Sequence, residues 1–163
     1  MSGPLVALFR DPWAGLAEEA VTWRNPRLLW RKAQWFKANP RSEAYMRARL
    51  AEHWPEAEFV DVAADPAWET RISGAAEIVL LYPDAIGIGF RGLERRVRVH
   101  APRAAIQVLN GRRRVFLLDP ATARALRVRR FLERTMLLDV LMGLAFLAAT
   151  PVLLACDLAR GRR

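Results

Sequence analysis

The C-terminal run at 136–158, MLLDVLMGLAFLAATPVLLACDL, constrains this chain more than any other feature. Between Asp139 and Asp157 lie 17 uncharged, mostly apolar residues. As a helix they extend roughly 25 Å at 1.5 Å per residue, the short end of what a bilayer core requires. Met136 to Leu138 lengthen the span if Asp139 reaches the headgroups. A carboxylate costs about 3 kcal/mol at mid-bilayer and much less near the interface. A helix packed on a small soluble domain normally keeps a polar face, and this run has none. Arg129, Arg130 and Arg134 precede it, and Arg160, Arg162 and Arg163 follow it. The run therefore reads as one transmembrane helix over 136–158, kinked at Pro151, with a basic tail at 159–163.

Orientation follows from the flanks. Residues 4–9 are too few for a signal peptide and are broken by Arg10-Asp11-Pro12. The 20 residues before Met136 hold five Arg, against three after the span. The positive-inside rule then expects a tail-anchored protein whose N-terminal domain is cytoplasmic. Only Lys32 and Lys37 are lysines among the 26 cations. With abundant Ala, this resembles the codon bias of a GC-rich genome and points to a bacterial inner membrane.

The net charge of +9 is not spread evenly. Residues 91–134 hold 13 Arg and 3 acids, whereas residues 1–90 hold 10 basic and 12 acidic side chains. A nearly neutral domain thus precedes a strongly basic segment that abuts the apolar run. Near anionic lipid each juxtamembrane Arg is worth roughly 1 kcal/mol, so a bilayer with anionic lipids is the first expected partner. Arg91, Arg95, Arg96, Arg112, Arg113, Arg114, Arg127 and Arg130 are the candidate phosphate- or anionic-lipid-binding residues. Nucleic acid is a weaker expectation, because Phe90 and Phe116 alone offer bases a stacking surface.

Ahead of the run the chain divides into a Trp-rich helical segment (1–40), an α/β domain (41–118) and a basic juxtamembrane helix (119–135). Asn25-Pro26 starts a helix that stops before Asn39-Pro40. It either rests on headgroups or packs on the domain. Residues 42–54 form a second helix. The segment at 58–63 alternates as a strand, Asp65-Pro66 opens a short helix, and 77–82 is an apolar run typical of a buried strand. Together they suggest a parallel βαβ crossover, with an antiparallel return left open. Asn110-Gly111 between apolar runs signals a hairpin carrying Arg112, Arg113 and Arg114 at its turn. Asp119-Pro120 caps a helix that nothing obvious breaks before Pro151. The expected fold is a small α/β domain with a three- to five-stranded mixed sheet, N-terminal helices and one C-terminal transmembrane helix.

Motifs for chemistry are sparse. Gly87, Gly89 and Gly92 spell GxGxxG, but four residues separate the preceding strand from Gly87. The following stretch half alternates as a strand, and no acid lies about 20 residues on. A glycine-rich turn is the expectation. Asp84 ends the presumed central strand, where ligands bind in open α/β sheets. It is a weak candidate for a catalytic base or metal ligand, with a turn role the simpler reading. Cys156 is the only cysteine, and His53 and His100 are far apart in sequence, so neither a metal site nor a cofactor is expected. The preferred function is a non-catalytic accessory or interaction subunit of a membrane system, with a membrane protein as partner. Envelope polysaccharide or lipid-linked glycan assembly is one such setting, by analogy alone. Its rivals are a small membrane-tethered transferase acting on a phosphorylated or nucleotide-linked substrate, and a membrane-tethered nucleic-acid binder.

Overall fold

The computed structural model describes residues 4–16, 18–19 and 25–161. Trp23 of the Trp-rich segment, and Arg162 and Arg163 of the basic tail, lie outside the described residues. The elements run β1 (Leu5–Phe9), α1 (Pro26–Ala38), α2 (Glu43–His53), β2 (Glu58–Asp61), α3 (Trp68–Ile72) and β3 (Glu77–Tyr82). They continue with α4 (Arg91–His100), β4 (Ala105–Asn110), β5 (Val115–Leu117), α5 (Pro120–Thr135) and α6 (Leu137–Arg160). The strands form one mixed sheet in the order β2-β1-β3-β4-β5. All neighbours are parallel except β4 and β5.

The expected parallel crossover between 58–63 and 77–82 is present, with one further strand between its two strands. The strands at 58–61 and 77–82 are both parallel, but they are not neighbours. Strand β1 lies between them, with Phe9 opposite Asp61 on one side and Leu81 on the other. Its residues Val6 to Phe9 are buried, because a parallel strand covered on both faces needs apolar side chains in both directions. Strand β1, from the Trp-rich segment, is thus part of the same sheet as the strands between residues 41 and 118. The connection from β2 through α3 to β3 crosses over β1, and β3–α4–β4 is the crossover between adjacent strands.

The stretch that half alternates, 91–100, is the helix α4 and not a strand. Phe90, Leu93 and Val97 give it an apolar face at helical spacing, and all three are buried. Helices α3, α4 and α5 cover one face of the sheet over Val6, Leu8, Ile78, Leu80 and Val108. Helix α2 covers the other through Met46 and Leu50, against Ala7, Val79, Leu81 and Leu109. The expected caps are in place. Asn25, Ser42 and Asp119 accept from the backbone N–H of Leu28, Tyr45 and Thr122, at 3.1, 3.3 and 2.6 Å.

The helix from Asp119 is not continuous into the apolar run. Met136 adopts a left-handed conformation (φ 49°) and separates α5 from α6. Helix α6 has 24 residues, about 36 Å at 1.5 Å each, long and apolar enough to cross a membrane. Pro151 lies inside it without ending it. None of its described side chains joins a buried cluster of the domain.

Candidate anion-binding site

Beyond the carboxyl ends of β1 and β3 the chain turns sharply. In doubly wound sheets this edge, where connections leave to opposite sides, is the usual ligand crevice. Here the loop after β3 closes on itself. Asp84 is buried, and its carboxylate accepts from the backbone N–H groups of Ile86 (2.7 Å), Gly87 and Ile88 (2.9 Å). Burial pushes its pKa above the ordinary carboxylate value, and the three N–H donors pull it back. Both oxygens are therefore committed to shaping the loop. Asp84→Asn would set an amide NH2 against one of these N–H groups, and is expected to cost about 1–3 kcal/mol. Chemical denaturation would read this loss; unchanged stability would contradict the turn-building role.

The glycines have local reasons. A Cβ on Gly87 would fall 2.6 Å from the Tyr82 ring, and one on Gly89 2.9 Å from Pro12. Both have positive φ, 68° and 88°, which disfavours a side chain in any case. Gly92 lies within α4.

A buried polar triad fixes α5 to this loop. Tyr82 Oη donates to Glu94 Oε1 (2.5 Å), and Arg130 Nη2 donates to the same oxygen (2.6 Å). Arg130 Nε donates to the carbonyl of Ile86 (2.7 Å). The side chains of Arg130 and Glu94 are only 11% and 10% exposed, so this ion pair is largely out of water.

Helix α1 closes the other side. Leu28 packs with Trp13 and Leu16, backed by Trp35 and Ala38. Gln34 Nε2 and Trp30 Nε1 donate to the carbonyl of Arg134 at 2.5 and 3.1 Å. Lys37 pairs with Glu133 at 3.0 Å and with Asp139. These carboxylates, Asp139 first, hold the Lys37 ammonium above its ordinary pKa. Helix α1 is thus packed on the domain and tied to the α5–α6 junction, while Leu29 and Phe36 (83% exposed) stay outward.

Between α1, the glycine loop and α5 lies a cleft of about 470 Å³. Arg31, Arg91, Arg127, Arg130 and Arg134 line it, with Trp13 and Phe131 among the apolar walls. Arg127, Arg130 and Arg134 share one face of α5 at i, i+3, i+7. Arg130 is neutralised by Glu94. Arg31, Arg91, Arg127 and Arg134 form no ion pair with a described carboxylate. The buried indole N–H of Trp13 has no hydrogen-bond partner among the described residues.

Arg91, Arg127 and Arg130 meet in the cleft, and Arg95 lines an adjoining groove with Arg91, Arg98 and Arg127. Arg96 points elsewhere, bonded to Glu69 at 2.6 Å and lying over Trp68. Arg112, Arg113 and Arg114 occupy the β4–β5 turn, where Asn110 Oδ1 accepts from the Arg112 and Arg114 N–H groups at 3.1 and 2.9 Å. Of the three, Arg112 lines a smaller cavity of about 180 Å³ with Asp84, Arg129 and Glu133, and Arg113 reaches Tyr45 Oη at 3.3 Å. Arg31 and Arg134 complete the cleft but were not among the candidates. Their signal was the helical spacing of Arg127, Arg130 and Arg134, and the position of Arg31 on the capped helix α1.

Comparison of the chain with known protein families, curated proteins and solved structures finds no match.

Proposed function

We propose that this protein is a membrane-anchored accessory or interaction subunit, held by α6 on the cytoplasmic face of a bacterial inner membrane. The observation that carries the reading is the contrast between two surfaces. Helix α6 presents an apolar surface all round, and none of its described side chains joins a buried cluster, as in a helix solvated by lipid. The domain beside it is folded and polar, with a basic cleft at the junction. Arginine next to the span matches the cytoplasmic, anionic leaflet. The non-catalytic reading rests on the sheet edge, where Asp84 is engaged by its own loop. Assembly of envelope polysaccharide or a lipid-linked glycan is a fitting setting, by analogy with other membrane-surface systems.

Purification of the full chain in mild detergent tests the accessory role. A membrane enzyme or transporter recovered at fixed stoichiometry after size exclusion is the expected result. A monodisperse lone protein carrying bound nucleotide would contradict it and favour a transferase. Orientation is tested by labelling Glu52→Cys, in a Cys156→Ser background, with a membrane-impermeant maleimide. Reaction only after lysis is expected; reaction in intact spheroplasts would place the domain outside.

A further inference from the structure

We infer that the cleft between α1, the glycine loop and α5 binds a phosphate group of high charge, a phosphomonoester or pyrophosphate, carried by a lipid at the membrane boundary. The inference deepens the membrane-seated reading above and rests on it only for the source of the ligand.

The first support is charge. Arg31, Arg91, Arg127 and Arg134 converge on one cleft, and none is paired with a described carboxylate. Like charges gathered without a counter-charge raise the energy of the folded state, and an anion seated among them lowers it. A phosphodiester brings about one negative charge, whereas a phosphomonoester brings about 1.5 to 2 at neutral pH. Planar guanidinium groups match two phosphate oxygens at once.

The second support is the Trp13 indole N–H. It is buried, lacks a partner among the described residues, and belongs to a side chain that lines the same cleft. A buried donor left unsatisfied costs about 1–3 kcal/mol, and a small movement of the Trp13 ring on ligand entry would let a phosphate oxygen accept from it. Every charged group of the cleft, together with this indole, is a hydrogen-bond donor.

The third is preorganisation. Arg130 is locked by Glu94 and Ile86 and fixes the face of α5 from which Arg127 and Arg134 project. Gln34 and Trp30 pin α1 to Arg134, which sets Arg31 on the opposite wall. The helices that carry Arg31, Arg127 and Arg134 are thus fixed relative to one another before a ligand arrives, and the remaining cost is the ordering of the exposed arginine side chains themselves.

The fourth concerns the source. Arg134 and Phe131 belong to the last turns of α5, directly before Met136 and α6. Phe131 is 63% exposed, and Val128 beside it is 58% exposed. An acyl or isoprenoid chain leaving the phosphate has an apolar path along these residues toward the bilayer.

The test is isothermal titration of the full chain in neutral detergent with three probes: dihexanoyl phosphatidic acid, dihexanoyl phosphatidylglycerol and inorganic pyrophosphate. Saturable one-to-one binding of the phosphatidic acid, at least tenfold tighter than the phosphatidylglycerol, is expected. Arg91→Gln with Arg127→Gln should weaken it at least tenfold. Arg47→Gln with Arg103→Gln, an equal change in net charge away from the cleft, should weaken it less than twofold. Phosphatidic acid binding more tightly than pyrophosphate assigns the ligand to lipid. Equal or tighter pyrophosphate binding keeps the phosphate site and overturns its lipid source. Absence of saturable binding, a preference for the phosphodiester, or equal losses in the two double variants overturns the site. Because detergent replaces the bilayer, failure here leaves membrane insertion to be judged separately by carbonate extraction.

Discussion

Replacing Glu94 by Ala is expected to destabilise the domain by about 3–5 kcal/mol, the usual cost of removing one partner from a buried ion pair. The reason is what remains behind. Arg130 would keep its charge in a site only 11% exposed, with the Ile86 carbonyl as its remaining described hydrogen-bond acceptor. Tyr82 would lose the acceptor of its buried hydroxyl. Domains of this size are stable by about 5–15 kcal/mol, so the loss is a large share of the total. Replacing both partners, Glu94→Leu with Arg130→Met, should recover most of it, because apolar packing no longer leaves a charge stranded.

A pH dependence accompanies the triad. Burial, then the Glu94 carboxylate, push the Tyr82 phenol above its ordinary value of 10.0. The folded state therefore holds this proton more tightly than the unfolded chain does. The associated stability is complete below about pH 10 and is lost as pH rises beyond it. Tyr82→Phe should reduce that alkaline slope and cost about 0.5–1.5 kcal/mol at neutral pH. Urea denaturation checks both statements; a Glu94→Ala variant within about 1 kcal/mol of the parent would contradict the structural importance of the triad.

What could be read in the sequence follows from how local each signal is. The caps at Asn25, Ser42 and Asp119 are short-range, since the side chain that accepts and the N–H that donates are three residues apart. The apolar run of α6 needs no partner to declare itself. Strand β1 was hidden for the opposite reason: five residues, LVALF, buried without alternation, distinguish themselves only once β2 and β3 lie on either side. Helix α4 was obscured because Arg95-Arg96-Val97-Arg98-Val99 alternates locally, while its helical face comes from the wider spacing of Phe90, Leu93 and Val97. The α5–α6 break at Met136 carries neither Gly nor Pro, and a left-handed methionine has no signature in sequence. The cleft draws on four separate segments, so Arg91, Arg127 and Arg130 could be named from the sequence but not their meeting with Trp13 and Arg31.

The second large effect concerns membrane attachment, and deletion of 136–163 measures it. Among the described side chains, helix α6 supplies none to the buried clusters. The bonds from Gln34 and Trp30 to Arg134 lie within what remains, and among the described side-chain bonds to the domain the Asp139 partner of Lys37 is the one lost. The truncated chain should therefore fold, keeping Glu133 as a partner for Lys37. It loses the only candidate span among the described residues, whose insertion is effectively irreversible next to surface binding. The cleft arginines and the exposed Phe131 can still hold the truncated chain loosely to anionic lipid, a contact that salt screens. Alkaline carbonate extraction separates the two modes of attachment. The full chain is expected to stay with the membrane pellet, while the folded truncated chain passes into the supernatant. Release of the full chain, or retention of the truncated one, would contradict anchoring by α6.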